Sequence, residues 1–196
     1  MSARSDDAGI VRAMLEASTD AVRACLAIAD DVAEAGRRIG DALDAGGKVL
    51  ICGNGGSAAD AQHFAGELLG RFRLSERRSL PAVALSADGA VMSTIANDYA
   101  FADVFARQVA ALARPGDVLV GISTSGKSEN VLRAFTAAPA GVLRIALVGP
   151  GGPLAERADL ALRVRAEGTA HIQAGHIAVI HAVCEMLERR FSRAPD

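Results

Sequence analysis

The chain has 196 residues, 51% of them hydrophobic, and a formal net charge of −2, a length and composition that favour one domain with a full core. No uninterrupted apolar run reaches the ~18 residues that a membrane span needs, and the first residues lack the basic start and apolar core of a signal peptide. Charges of both signs are interspersed, so no basic footprint indicates nucleic acid. We therefore expect a cytoplasmic protein that binds neither nucleic acid nor membranes.

The first part of the chain has a helical pattern. Residues 11–45 place apolar side chains at three-to-four spacing, and the pattern ends at Gly46 and Gly47. A break around residues 29–31 predicts two helices rather than one. The pattern then changes to short apolar runs bounded by Gly, Pro or Ser, which predict strands at 48–52, 82–86, 117–123, 144–149 and, with a weaker pattern, 160–164.

Continuous apolar runs suit strands that are buried on both faces, as in a parallel sheet. Helical patterns alternate with these strands at 58–70, 88–96, 101–113, 128–138 and 171–191. The alternation predicts an α/β fold, a three-layer αβα sandwich with a five-stranded parallel sheet plus an N-terminal helical pair. With no internal repeat or linker, residues 1–196 are expected to form one domain, with helices over 1–47 and the parallel core and last helix over 48–196.

Three polar segments follow the first three predicted strands: "GNGGS", "SADGA" and "STSGKS". In an open parallel sheet, ligands bind beyond the carboxyl ends of the strands. These segments are therefore the candidates for a binding site.

The third segment belongs to a stretch, "GISTSGKS" from Gly121 to Ser128, that matches the Walker A pattern letter for letter. We reject a nucleoside triphosphate site, because the apolar run passes straight through Gly121 instead of ending there. No run of four apolar residues ending in Asp supplies the matching magnesium ligand either. Hydroxyl groups and the start of the next helix would still suit a sugar phosphate, and the alternative is a plain turn with Ser128 as the N-cap.

A second pattern indicates a metal. His63 and Glu67 lie four residues apart on one helical face, although such a pair is also common on ordinary surfaces. The last helix carries Gln173 and His181, and all four histidines lie on these two helices. Imidazole, carboxylate and amide oxygen together suit a transition metal such as zinc.

Two of these candidate metal ligands are far apart along their helix. Gln173 and His181 are separated by about 12 Å along the helix and point roughly 80° apart. We expect the remaining histidines, His171 and His176, to be ordinary polar side chains at a subunit contact.

Four segments, "CGNGGSAADAQHFAGELLGRF", "IANDYAF", "GDVLVGISTSGKSENVL" and "IQAGHIAVIH", resemble the phosphoheptose isomerases, which have a sugar isomerase (SIS) domain. The resemblance covers nearly the whole chain. It implies a homotetramer with active sites at subunit interfaces. It also implies conversion of sedoheptulose 7-phosphate to D-glycero-D-manno-heptose 7-phosphate, the first step of nucleotide-activated heptose biosynthesis.

The resemblance also implies site residues. One zinc ion per subunit would be bound by His63, Glu67, Gln173 and His181, with Glu67 as the catalytic base and His181 as the acid. The positions that match substrate contacts are Asn54, Gly55, Ser57, Glu67, Asp98, Ser123, Thr124, Ser125, Ser128 and Gln173. Aldose–ketose isomerisation proceeds through an enediol, and these residue types suit the proton transfer.

Three positions depart from the family pattern. Ala174 stands where the family usually has Glu, Gly168 where it usually has Asp, and Lys127 where Asn is more frequent. The first two bear on the exact sugar. Two alternatives stay open: a non-catalytic tetramer like the DnaA initiator-associating factor, and an isomerase or sensor of another sugar phosphate. The first is disfavoured because Glu67 and His181 are both present.

Overall fold

The computed structural model describes residues 3–192 of the chain. Its N-terminal part is a helical pair, α1 (Ala3–Ala24) and α2 (Ala29–Asp44), joined by a single 3₁₀ turn at Cys25–Ile28. The break therefore lies just before the predicted position. The first turns of α1 project away from the rest of the fold, because residues 6–16 are all exposed.

The sheet has five parallel strands in the order β2-β1-β3-β4-β5, which confirms the predicted three-layer class. The strands are β1 (Val49–Gly53), β2 (Ala82–Ala84), β3 (Val118–Ser123), β4 (Leu143–Val148) and β5 (Leu160–Arg163). In this order β1 and β3 are neighbours, but the chain leaves them towards opposite edges of the sheet. A crevice therefore opens between their carboxyl ends.

Six further helices cover the sheet: α3 (Gly56–Leu69), α4 (Gly89–Asp98), α5 (Ala106–Leu112), α6 (Glu129–Ala137), α7 (Pro153–Glu156) and α8 (Thr169–Phe191). The predicted helix over 101–113 is divided into a 3₁₀ turn at Phe101–Asp103 and the shorter α5. The four-residue α7 was not predicted. No helix of the described range 3–192 is long and apolar enough to cross a membrane.

Apolar side chains form one cluster on each face of the sheet. In β1, Val49 and Ile51 join the cluster beneath α2, α3 and α8, whereas Leu50 and Cys52 join the one beneath α5, α6 and α7. Burial on both faces explains why the strands appear in the sequence as continuous apolar runs.

Strand β3 runs through Gly121 without a break, as the rejection of a Walker A loop required. A Cβ atom at this position would lie only 2.5 Å from the ring of Phe135 on α6. The glycine therefore provides space for helix packing and does not begin a phosphate-binding turn.

One histidine lies elsewhere than expected. His176, predicted at a subunit contact, is fully buried inside the protomer, on the face of α8 that packs on the sheet. His171 is partly exposed, and its Nδ1 atom lies 3.0 Å from the hydroxyl of Ser18 on α1.

Candidate active site

A cavity of about 360 Å³ lies at the carboxyl ends of β1 and β3, where the direction of the chain connections reverses. Its lining is mostly polar and comes from the turns after both strands and from the start of α8: Asn54, Gly55, Gly56, Ser57, Ile122, Ser123, Thr124, Ser128, Thr169 and Gln173. Such a switch point is the usual ligand site of an open α/β sheet.

Seven of the predicted substrate-binding residues line this cavity: Asn54, Gly55, Ser57, Ser123, Thr124, Ser128 and Gln173. The hydroxyl of Ser125 instead accepts a bond from the backbone N–H of Lys127, at 3.2 Å. Asp98 lies exposed at the end of α4, where its carboxylate accepts a bond from the Asn97 amide at 2.8 Å. Neither residue lines the cavity, and the substrate contacts of all ten residues stay predictions.

The turns after β1 and β3 are bonded to each other by a pair of amides. Asn54 and Asn130 exchange two side-chain hydrogen bonds, each 2.8 Å long. The sequence reasoning missed Asn130, which is buried at the start of α6. Its only signal in the sequence is its place just after the serine segment.

Hydroxyl groups arrange the serine segment itself. Ser123 and Ser128 lie 2.9 Å apart at their Oγ atoms, across the turn. Ser128 is the N-cap residue of α6, but its side chain makes no capping bond to the helix. The N-cap alternative therefore accounts for its position and leaves its hydroxyl available to the cavity.

The serine segment packs backbone to backbone on the glycine-rich turn after β4. The N–H of Gly149 donates to the Thr124 carbonyl at 3.1 Å, and the N–H of Leu154 donates to the Gly126 carbonyl at 3.0 Å. Gly126 has a φ of 65°, and a Cβ atom there would collide with the carbonyl oxygen of Gly151. Only glycine permits both the backbone conformation and the close approach.

The other predicted residues meet where α3 crosses α8. The Nε2 atoms of His63 and His181 are 2.9 Å apart, and His63 Nε2 is 3.3 Å from a carboxylate oxygen of Glu67. The Glu67 side chain is 19% exposed, which leaves it open to a substrate yet shielded from bulk water. The ring of Phe72 flanks the cluster, 5.7 Å from the ring of His181.

The donor chemistry of this cluster fits zinc, since two imidazoles and a carboxylate are ligands that the ion takes. The contact between the two Nε2 atoms requires one of them to carry a proton, and a metal would need both to be unprotonated. Gln173 lies apart from the cluster, with its amide against Gly56 in the cavity. Within residues 3–192, no three His, Cys, Asp or Glu side chains surround one metal position.

Asp60 is a residue that the sequence reasoning missed. It lies one turn before His63 on α3, and one of its carboxylate oxygens is buried without a hydrogen-bond partner. Burial raises the pKa of this carboxyl, and the nearby His63 opposes the shift to a smaller extent. The signal was its spacing, because positions 60, 63 and 67 share one helical face.

Comparison with known proteins agrees with this geometry. The SIS domain family model matches residues 14–149. The phosphoheptose isomerase of Geotalea daltonii is 52% identical over 154 residues, which are 78% of this chain and 80% of the relative. That of Halorhodospira halophila is 49% identical over 173 residues, which are 86% of this chain and 87% of the relative.

Solved structures give the same result. The structure of phosphoheptose isomerase from Neisseria gonorrhoeae superposes with a TM-score of 0.83 at 41% identity, over 95% of this chain and 98% of that one. This superposition covers most of the chain, whereas the SIS domain model ends at residue 149, before α8. This chain therefore belongs to the phosphoheptose isomerase family of SIS-domain proteins.

Proposed function

We propose that this protein is an aldose–ketose isomerase that converts sedoheptulose 7-phosphate to D-glycero-D-manno-heptose 7-phosphate. One observation supports this most strongly. Helix α3 begins at the cavity with Gly56 and, three turns later, carries Glu67 in the His63–His181 cluster. A single helix thus connects a polar cavity suited to a phosphate with a carboxylate suited to proton transfer.

The cavity can bind the phosphate without a cationic side chain in its lining. Hydroxyl groups of Ser57, Ser123, Thr124 and Ser128 line it, and the N-termini of α3 and α6 supply a positive dipole end. Glu67 lies eleven residues, about 16 Å, along α3 from Gly56, so the cavity and the cluster that act on one sugar phosphate would come from different subunits of the proposed tetramer.

Proton transfer is assigned to the cluster. Glu67 would remove the proton from the carbon beside the carbonyl and return it to the former carbonyl carbon. His181 would donate a proton to the carbonyl oxygen and take one from the neighbouring hydroxyl, which becomes the new carbonyl. His63 contacts both groups and fixes their relative positions.

We also propose one zinc ion per subunit, with His63, Glu67, Gln173 and His181 as its ligands. The ion would act as a Lewis acid and polarise the carbonyl oxygen. The chemistry of the donor set supports this proposal. Gln173 lies in the cavity, apart from the other three donors, so it would complete the set only by moving or from another subunit.

A homotetramer with interfacial active sites is the proposed assembly. Its support is the apolar side of α1, where Ile10, Val11, Met14 and Leu15 are between 44% and 63% exposed. A second copy of the chain would remove this surface from water. The cytoplasmic location and the absence of membrane or nucleic acid partners stay predictions from the sequence.

The test is turnover of sedoheptulose 7-phosphate by the purified protein in D₂O, with and without added zinc. We expect the aldose product to form and to carry solvent deuterium on the carbon next to its carbonyl, because an enediol exchanges that proton. Fructose 6-phosphate is the control for another ketose phosphate. Binding of the heptose phosphate without turnover or exchange would instead support the non-catalytic alternative.

A further inference from the structure

A buried charged cluster lies directly behind the proposed catalytic residues. Its members are Arg77, in the segment between α3 and β2, and Glu188, on α8, with side chains only 1% and 3% exposed. The Nε atom of Arg77 lies 3.9 Å from the carboxylate of Glu188. We call these two residues the Arg77–Glu188 pair.

The guanidinium group of Arg77 binds the end of α3. It donates to the backbone carbonyls of Glu67 at 2.7 Å, Leu68 at 3.0 Å and Gly70 at 3.0 Å, and also to that of Arg78 at 2.6 Å. The last carbonyls of a helix have no partner within the helix, and a cation there also offsets the negative dipole end. Arg77 therefore fixes the turn of α3 on which Glu67 lies.

Glu188 binds the segment that follows. Its carboxylate accepts the backbone N–H groups of Phe72, Arg73 and Leu74, at 2.9 to 3.2 Å. Three consecutive N–H groups form a compact anion site from the backbone alone. The bond to Phe72 also positions the ring that lies against His181.

The pair acts on both helices of the catalytic cluster. Glu188 lies seven residues after His181 on α8, two turns along the same face. Through Arg77 the same group is connected to the backbone of Glu67 on α3. The distance between the two helices at the catalytic cluster therefore depends on this contact.

We infer that Arg77 and Glu188 are positioning residues for the isomerisation, which set Glu67 and His181 at the separation that proton transfer needs. Because both side chains are buried, water cannot replace the hydrogen bonds that they make to the backbone if either side chain is removed. Buried ion pairs are weak sources of stability, since well-packed apolar residues often serve as well. A positioning role accounts for the pair better than stability does. This role presupposes the isomerase reaction proposed above.

The test compares Arg77→Met and the milder Arg77→Lys with a control of similar chemistry. Arg144→Met removes a partly exposed arginine from its pair with Asp159, near the start of β4. For each protein we would measure kcat and KM for sedoheptulose 7-phosphate at saturating zinc, together with the unfolding midpoint. We expect both Arg77 variants to lower kcat, by about a hundredfold for Arg77→Met, with KM within about threefold of the parent. Arg144→Met should keep the parent kcat.

The double variant Arg77→Met with Glu188→Gln completes the experiment. Its kcat should fall little further than that of Arg77→Met, because both changes break one unit. The inference would be overturned if the parent isomerises sedoheptulose 7-phosphate and the folded Arg77→Lys protein does so with the same kcat. Losses that multiply in the double variant, or a change confined to KM, would also overturn it. No turnover by the parent would overturn the proposed function and this role together.

Discussion

Among single residues, the structure divides the serines of the β3–α6 segment into two kinds. Ser123 and Ser128 face the cavity and contact each other, whereas Ser125 is bonded to the backbone of its own turn. Phosphate binding should therefore depend on the first two. The resemblance to the family did not separate them, because all three hydroxyls belong to one continuous motif.

Replacement of both Ser123 and Ser128 by alanine should mainly weaken substrate binding. Two lost bonds to a charged phosphate correspond to about 1–3 kcal/mol, with kcat less affected than KM. Steady-state kinetics on the double variant measures this, and Ser125→Ala is the matched control. Equal losses in the control and in the double variant would place the phosphate elsewhere on the segment.

The sequence predicted some site residues and concealed others, for physical reasons. Helical spacing was enough to bring His63 and Glu67 onto one face, and the structure places His181 against them. Arg77 could not be recognised, because "RFRLSERR" is typical of a solvated charged loop. Arg77 is buried because its guanidinium group binds backbone carbonyls at the end of α3, and only the folded chain brings these groups together.

Among the elements, α3 provides both part of the cavity lining and Glu67, the proposed catalytic carboxylate. Its first residue, Gly56, lies so close to the Gln173 amide that a Cβ atom would displace it. The boundaries of the strands were well predicted, because burial on both faces gives unbroken apolar runs. The region 101–113 was not, since its apolar pattern continues through the 3₁₀ turn and the irregular residues before α5.

Gly56→Ala should move Gln173 out of the cavity while leaving the fold intact. The displaced atoms belong to the end of a flexible side chain, so the free energy of unfolding should change by less than about 1 kcal/mol. Activity should fall through both substrate and zinc affinity. Gly66→Ala on the same helix is the control: its Cβ meets nothing within 4 Å, and alanine should stabilise the helix by about 0.5–1 kcal/mol. If Gly56→Ala retained full activity, Gln173 would have no part in the site.

Across the whole molecule, His176 connects stability to pH. Within residues 3–192 neither of its ring nitrogens makes a hydrogen bond of good geometry, although the backbone of Val148 lies nearby. Burial lowers its pKa from 6.5 to about 4, and the backbone of Val148 opposes this to a smaller extent. The unfolded chain therefore takes up the proton first as the pH falls. His176 therefore does not lower the free energy of unfolding above pH 6.5, but lowers it progressively as the pH falls from 6.5 to 4.

Between pH 7.5 and pH 5.0, the contribution of His176 should lower the free energy of unfolding by about 2 kcal/mol. His176→Leu, which cannot be protonated, should lose correspondingly less stability between the same two values. Urea unfolding of both proteins at each pH supplies the four free energies. Parallel losses in parent and variant would show that other groups cause the acid sensitivity.

The proposed tetramer would bury the exposed side of α1. Ile10→Lys with Leu15→Glu should convert the tetramer into smaller species, because charges on this surface cannot be buried without partners. Light scattering of both proteins measures the mass, and helical circular dichroism checks that the protomer is intact. Glu16→Lys, on the same helix, is the control for a change of charge alone. An unchanged mass in the double variant would place the interface on another surface.

In the proposed reaction, Glu67 transfers the proton. Glu67→Gln replaces the carboxylate by an amide of nearly equal volume, so substrate binding should stay within about tenfold of the parent while kcat falls by about 10²–10⁴-fold. The most direct measurement is deuterium uptake from D₂O into sedoheptulose 7-phosphate bound to each protein. The substrate should take up deuterium when it is bound to the parent, and none above background when it is bound to the variant. Equal uptake rates for the two proteins would contradict it.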